Sequence, residues 1–164
     1  MEPPAPPQQQ QQQQQHAVYL VKSRVGLPDP DMPGPRYHHV IFVETNVQDR
    51  SGVKFHVVGD ITSSGGMTYE SRAAAAPERA RWDALLRGLP TPPRQKAFNA
   101  ATGRAELVKA WVPGVVFYEP GEARHVPWKC TEWTNEHALP ALWAAGFIVG
   151  GEVLAGSAAA SSPV

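Results

Sequence analysis

Two strand-like runs separated by a short polar turn constrain this chain more than anything else in it. Tyr37-His38-His39-Val40-Ile41-Phe42-Val43-Glu44 is β-branched and aromatic along its length, the composition that suits a pleated, half-buried surface. Asn46 to Gly52 is polar and ends in glycine, and Val53 to Val58 returns. The pattern predicts an antiparallel hairpin whose faces alternate residue by residue. Each strand carries histidine: His38 and His39 on the first, His56 on the second.

The rest of the body reads around that hairpin. Val18 to Val21 is a short β-rich run. Gly26 to Pro35 holds four prolines and two glycines and is expected to be a loop. Met67 to Glu70 reads as a further strand. Pro77, Glu78 and the Trp82/Leu85/Leu86 stripe predict a helix closed by Gly88. Residues 97–111 fit neither period cleanly, and Val115 to Tyr118 has the composition of a short strand. From Cys130 a helical stripe of Trp133, Leu139, Leu142 and Trp143 runs to Gly146, with Pro140 expected to kink or break it. The expected class is α+β: an antiparallel sheet with an N-terminal His-bearing hairpin, packed against a C-terminal Cys-led helix.

Three segments divide the chain. Residues 1–16 are proline-rich and then carry eight consecutive glutamines, Gln8 to Gln15. Such a tail buries too little apolar surface to offset chain entropy and is expected to be disordered, with weak self-association as its conceivable activity. Residues 17–155 are expected to form one domain, and residues 156–164 a loose, small-residue tail. The apolar stretch Ala138 to Ala155 contains Pro140, three glycines and Glu152 and is too short for a comfortable span, so a buried helix followed by a short extended segment is expected there and no membrane crossing.

Charge and thiol content narrow the function. Lys+Arg and Asp+Glu balance at 15 each, with a pI near 7.0. That gives no electrostatic footprint for nucleic acid. The single cysteine excludes an internal disulfide framework. With no secretory leader pattern at the N-terminus, a cytoplasmic location is expected.

Cys130 lies in Pro127-Trp128-Lys129-Cys130-Thr131-Glu132-Trp133, at the start of the last helical pattern. A helix start and a nearby imidazole both stabilise a thiolate, so one thiol and two histidine strands suffice for thiol catalysis if folding unites them. His39 and Ile41 share one face of their strand and His38 and Val40 the other, so only one of the paired histidines can turn to the helix. His137, two helical turns beyond Cys130, is too far for direct proton transfer. Three readings follow from the same residues. One is a catalytic thiol acting on an unidentified small-molecule or protein substrate. Another is a buried structural cysteine in a non-catalytic binding module of the same fold. The third is a zinc site of a strand histidine, His56 and Cys130, which lacks the close ligand pair of ordinary zinc motifs. No cofactor is called for. Glu132 is expected to be solvated.

In their order, the histidine strand, the His56 strand and Cys130-Thr131-Glu132-Trp133 resemble the circularly permuted papain-like thiol enzymes, in particular the relatives of lecithin:retinol acyltransferase. That family has a strand of the form Y-x-H-W-A-[IL]-Y, a second of the form V-[IV]-H, and a late N-C-E-H-F. The resemblance implies a permuted papain-like fold with His39 as base, His56 as its orienting residue and Cys130 as nucleophile. It implies hydrolase or acyltransferase chemistry on an ester, thioester or (iso)peptide. Lys129 stands where the family has Asn, and Thr131-Glu132 where it has Glu-His. The chain is also similar to small fungal proteins sharing H-H-x-I-F-V-E and C-x-E-W segments.

Overall fold

The computed structural model describes residues 15–26, 29–72, 77–150 and 155–157. Four strands follow one another as antiparallel neighbours: β1 (Ala17–Arg24), β2 (Tyr37–Glu44), β3 (Gly52–Gly59) and β4 (Met67–Arg72). A last strand, β8 (Ala155–Ser157), adds to the far side of β1 in parallel, giving the sheet order β4-β3-β2-β1-β8. A second antiparallel sheet is made of β5 (Lys96–Asn99), β6 (Arg104–Ala110) and β7 (Val116–Phe117). The fold is therefore α+β, with the His-bearing hairpin of β2 and β3 at the centre of the larger sheet.

One face of that sheet carries the core. Ile41 and Val43 of β2 and Val53, Phe55 and Val57 of β3 pack with Ile61, Leu86, Cys130, Trp133, Ala138, Leu139 and Leu142. Helix α1 (Pro77–Arg87) lies against this face, its Trp82 stacked on Phe55 at 5.6 Å between ring centroids and on Phe147 at 5.8 Å. Tyr69 and Ser71 of β4 both donate to Asp83 of α1, at 2.9 and 2.6 Å, which fixes the helix to the edge strand.

The Cys-led helix is continuous but not uniform. It begins as α2 (Cys130–Glu132), widens into a π-helical turn (Trp133–Ala138), and ends as α3 (Leu139–Ala144). Pro140, expected to kink or break the helix, is accommodated by that widening. Proline has no N–H to give, and its ring collides with the carbonyl four residues back in an α-helix. The N–H of Leu139 reaches back five residues to the Thr134 carbonyl, so the extra residue in the turn takes the place of a break. Trp133, at the start of the wide turn, is fully buried.

The hairpin falls at the expected residues. Residues 97–111, ambiguous in sequence, are a β-hairpin. The boundary expected at 155 is the first residue of β8, so Gly156 and Ser157 are strand rather than tail. Most of the expected N-terminal tail (1–14) and residues 158–164 lie outside the described residues. No helix among the described residues is long and apolar enough to cross a membrane.

Candidate functional site

The site forms where the central hairpin opens. The paired residues of β2 and β3 run from Glu44 and Gly52 to Ile41 and Phe55. Beyond that point the Tyr37–His39 edge of β2 is met by the start of α2. The Thr131 hydroxyl donates to the Tyr37 carbonyl at 3.1 Å, and the Cys130 thiol approaches the same oxygen at 3.8 Å. The His39 and Thr131 N–H groups favour the thiolate, lowering the pKa of Cys130. The helix start thus takes up strand-edge groups left without a ladder partner.

At that edge His38 is the side chain that acts most strongly on the thiol, lowering its pKa, and the His38 Nε2 lies 2.9 Å from Nδ1 of His56. With Nε2 engaged there, Nδ1 of His38 is left for the thiol. The two rings stand edge to face at 5.2 Å between centroids. Nε2 of His56 in turn lies 3.8 Å from a carboxylate oxygen of Glu70, its cross-strand partner on β4. The side chains therefore run Cys130, His38, His56, Glu70.

The family resemblance implies His39 as the partner of Cys130; the one hydrogen bond of the thiol among the described residues goes to the Tyr37 carbonyl. His39 follows Ile41 and Val43 onto the core face, where it is 4 % exposed and its Nδ1 has no hydrogen-bond partner. Its contribution to the thiol is its backbone N–H. His56 and Cys130 are both in the site. His125 is engaged by the Tyr118 hydroxyl at 2.8 Å, and His137 packs on Trp128, so neither joins it.

Burial alone would raise the thiol pKa, and it is the largest single influence on Cys130. The opposing influences of the His38 side chain and of the His39 and Thr131 N–H groups together outweigh it, so the thiol titrates below its ordinary value. His56 and His39 are both pushed below the usual histidine range, chiefly by burial. For His56 the neighbouring His38 adds to this and Glu70 opposes it. Both shifts favour the neutral ring, the form in which a nitrogen lone pair can accept a proton.

Three supports hold the thiol in place, none of them visible as a motif. Gln95, 8 % exposed, accepts from the Trp128 N–H at 2.8 Å and donates to the Trp128 carbonyl at 2.6 Å. Glu132, expected to be solvated, instead pairs with Arg36 at 3.0 Å and accepts from the Lys129 N–H at 3.0 Å. It ties the helix start to the residue preceding β2. The third support is a charge cluster. Asp29 pairs with Lys129 and, at 2.8 Å, with Lys96; Asp31 pairs with Lys96 and Arg124 at 2.7 Å each. Asp29 is thereby tied to Lys129, the residue that precedes the thiol.

Beside the helix start a cleft of about 190 Å³ is lined by Val126, Pro127, Trp128, Glu132, Glu136 and His137. Among the described residues no group of three or more His, Cys, Asp or Glu side chains is arranged to hold a metal ion.

Residues 18–81 match a family model described as a family of unknown function (DUF6540). The match covers less than half of the chain. It spans β1 to β4 and enters α1, taking in His38, His56 and Glu70 and stopping well before Cys130. No curated protein and no solved structure matches the chain.

Proposed function

We propose that this protein is a thiol-dependent hydrolase or acyltransferase of permuted papain-like type, with Cys130 as nucleophile, His38 as base and His56 as the residue that orients the base. The observation that carries this reading is the hydrogen-bonded imidazole pair, 2.9 Å between His38 Nε2 and His56 Nδ1, beside a thiol whose pKa His38 lowers. That is the arrangement an activated nucleophile requires: a base within reach of the sulfur, itself held by a third group.

The chemistry balances with these groups alone. Nδ1 of His38 takes the thiol proton, and the sulfur bonds to the carbonyl carbon of an ester, thioester or (iso)peptide. The Cys130 N–H, in the helix's first turn and without a helical partner by position, is the donor placed to meet the oxyanion. The carbonyl re-forms as the leaving group departs with the proton from His38. Water or an amine, deprotonated by the same ring, then takes the acyl group from sulfur.

A structural, non-catalytic cysteine is the competing reading, favoured by the 9 % exposure of Cys130. Alkylation of Cys130 between pH 5 and 9 separates the two. In the wild type, labelling should persist well below the ordinary thiol range. Replacing His38 by Ala should cut the rate at pH 6.5 by roughly tenfold and return the profile to a midpoint of about 8.5. His39→Leu keeps the backbone N–H that helps to lower the thiol pKa and should leave the midpoint in place. A wild-type thiol inert below pH 8, or a profile that responds to His39 and not to His38, would overturn the proposal.

A further inference from the structure

Glu70 is the last group in the run that begins at Cys130, and neither the sequence motifs nor the thiol chemistry above gives it a task. Its position is not a rotamer accident. Glu70 and His56 are directly opposed in the β3–β4 ladder, so the register of the sheet places the carboxylate beside the ring. Arg72, on the same face two residues on, holds the Glu70 carboxylate by hydrogen bond and ion pair.

The chemistry of the two rings shows what a carboxylate there does. One proton lies between Nε2 of His38 and Nδ1 of His56, and it can sit on either nitrogen. If His56 carries it on Nδ1, Nε2 of His38 must be the acceptor. The neutral His38 ring then holds its proton on Nδ1 and cannot take one from the thiol. If His38 carries it on Nε2, Nδ1 of His38 presents a lone pair to Cys130, and His56 must keep its own proton on Nε2. A carboxylate facing Nε2 of His56 favours that second arrangement. It also favours the positive charge that appears on the ring pair when the thiol proton arrives.

We infer that Glu70 is a positioning residue of the thiol site, holding His56 in its Nε2-protonated tautomer so that Nδ1 of His38 faces Cys130 as a base. This rests on the thiol reading above. The charged and titratable groups that act on His56 are His38 from β2, Lys54 from β3, and Glu70 and Arg72 from β4. Glu70 is the one anion among them.

Glu70→Gln keeps the shape and removes the charge at a half-exposed edge-strand position, and Arg72→Gln removes the carboxylate's ion-pair partner while sparing the carboxylate. Two measurements apply to each: nitrogen NMR of the His56 and His38 rings, which reports tautomer and titration, and the pH profile of Cys130 alkylation. In Glu70→Gln, His56 should lose its fixed Nε2-protonated pattern and titrate lower. Labelling at pH 6.5 should fall roughly threefold to tenfold, while Arg72→Gln, which removes a cation opposing protonation of His56, should keep the Nε2-protonated pattern, let His56 titrate higher and lose no labelling. Unchanged ring nitrogens in Glu70→Gln would overturn the inference. So would equal losses in both variants, since a merely structural ion pair needs both partners. If instead the wild-type thiol shows an ordinary profile insensitive to His38, the thiol reading fails. The ring nitrogens would then judge Glu70 separately, a Glu70-dependent tautomer upholding its hold on His56 and an independent one overturning it.

Discussion

Replacing Asp29 by Asn removes one charge from the cluster tied to Lys129, and its effect on stability has a definite pH dependence. The Asp29 side chain is 11 % exposed, and burial, the largest single influence on it, raises its pKa. Hydrogen bonds from Lys129 and Lys96 and from the Asp31 N–H more than reverse that, bringing it down from 3.8 to about 2. Because the folded value lies below the unfolded one, the unfolded chain takes the proton first as pH falls. The contribution is therefore fully present above about pH 4 and is lost as pH drops through about 2. Integrated over that gap it amounts to roughly 2 kcal/mol near pH 6 and under about 1 kcal/mol at pH 2.5. Asn at this position can still accept the Asp31 N–H that Asp29 Oδ1 accepts at 3.0 Å, so the turn itself survives. Urea unfolding followed by tryptophan fluorescence at pH 6, 4 and 2.5, wild type against Asp29→Asn, gives the difference directly. Other carboxylates titrate in both proteins and largely cancel. A stability gap that stays constant or widens on acidification would refute the reasoning, because it would mean that Asp29 is not held ionised by the two lysines.

Gln95→Leu should cost roughly 2–4 kcal/mol in denaturant unfolding, since it leaves the Trp128 N–H and carbonyl unpaired in a buried setting. The same variant should raise the midpoint of Cys130 alkylation, because the segment leading into the helix is no longer fixed. Gly66→Ala should lower the melting temperature by an amount equivalent to roughly 2–4 kcal/mol. Its φ is +68°, and a Cβ there would lie 2.4 Å from the Pro92 carbonyl oxygen and 2.8 Å from the Arg94 nitrogen, both backbone atoms with little room to move. A Gly66→Ala protein as stable as the wild type would show that the turn before β4 and the 92–94 segment do not abut.

The elements legible in the sequence were those whose signals are local. β2 and β3 announce themselves by β-branched and aromatic residues around a polar turn. The helix of Trp82, Leu85 and Leu86 does so by its stripe and the glycine that follows. In the second sheet only β7 gave such a signal, in Val115 to Tyr118, and β5 and β6 gave none. In β6 the consecutive residues Leu107 and Val108 are both buried, so the two-residue alternation that identifies a strand is broken. Lys96 of β5 is buried because Asp29 and Asp31, some 65 residues earlier, neutralise it. No window of sequence contains both halves of that pairing. β8 is Ala-Gly-Ser, with no strand propensity of its own, and is a strand because β1 offers it an open edge. The supports of the thiol were hidden for the same reason. Gln95 reads as a loop glutamine until its amide is seen to bracket the Trp128 backbone.

The choice between His38 and His39 shows most clearly what strand alternation can decide. It places His39 with Ile41 and Val43 on the face that meets the helices, and the structure keeps it there, buried among them. A histidine on the helix-facing side is the natural partner for a helix-borne cysteine only if the cysteine meets the sheet face-on. Cys130 meets it at an edge. Pairing of β2 with β3 stops at Ile41 and Phe55, and the start of α2 enters the gap, where the Tyr37 carbonyl takes the thiol and the Thr131 hydroxyl as its partners. From that position the sulfur is open to the opposite face of β2, which carries His38 and, across the parted strands, His56. Alternation fixes the face of each histidine. Which face the thiol uses is set by where the ladder opens, and that depends on the pairing of two strands and the docking of a helix some 90 residues away. Closing the gap by extending the β2–β3 pairing would therefore displace Cys130 from His38 while leaving every strand residue on its present face.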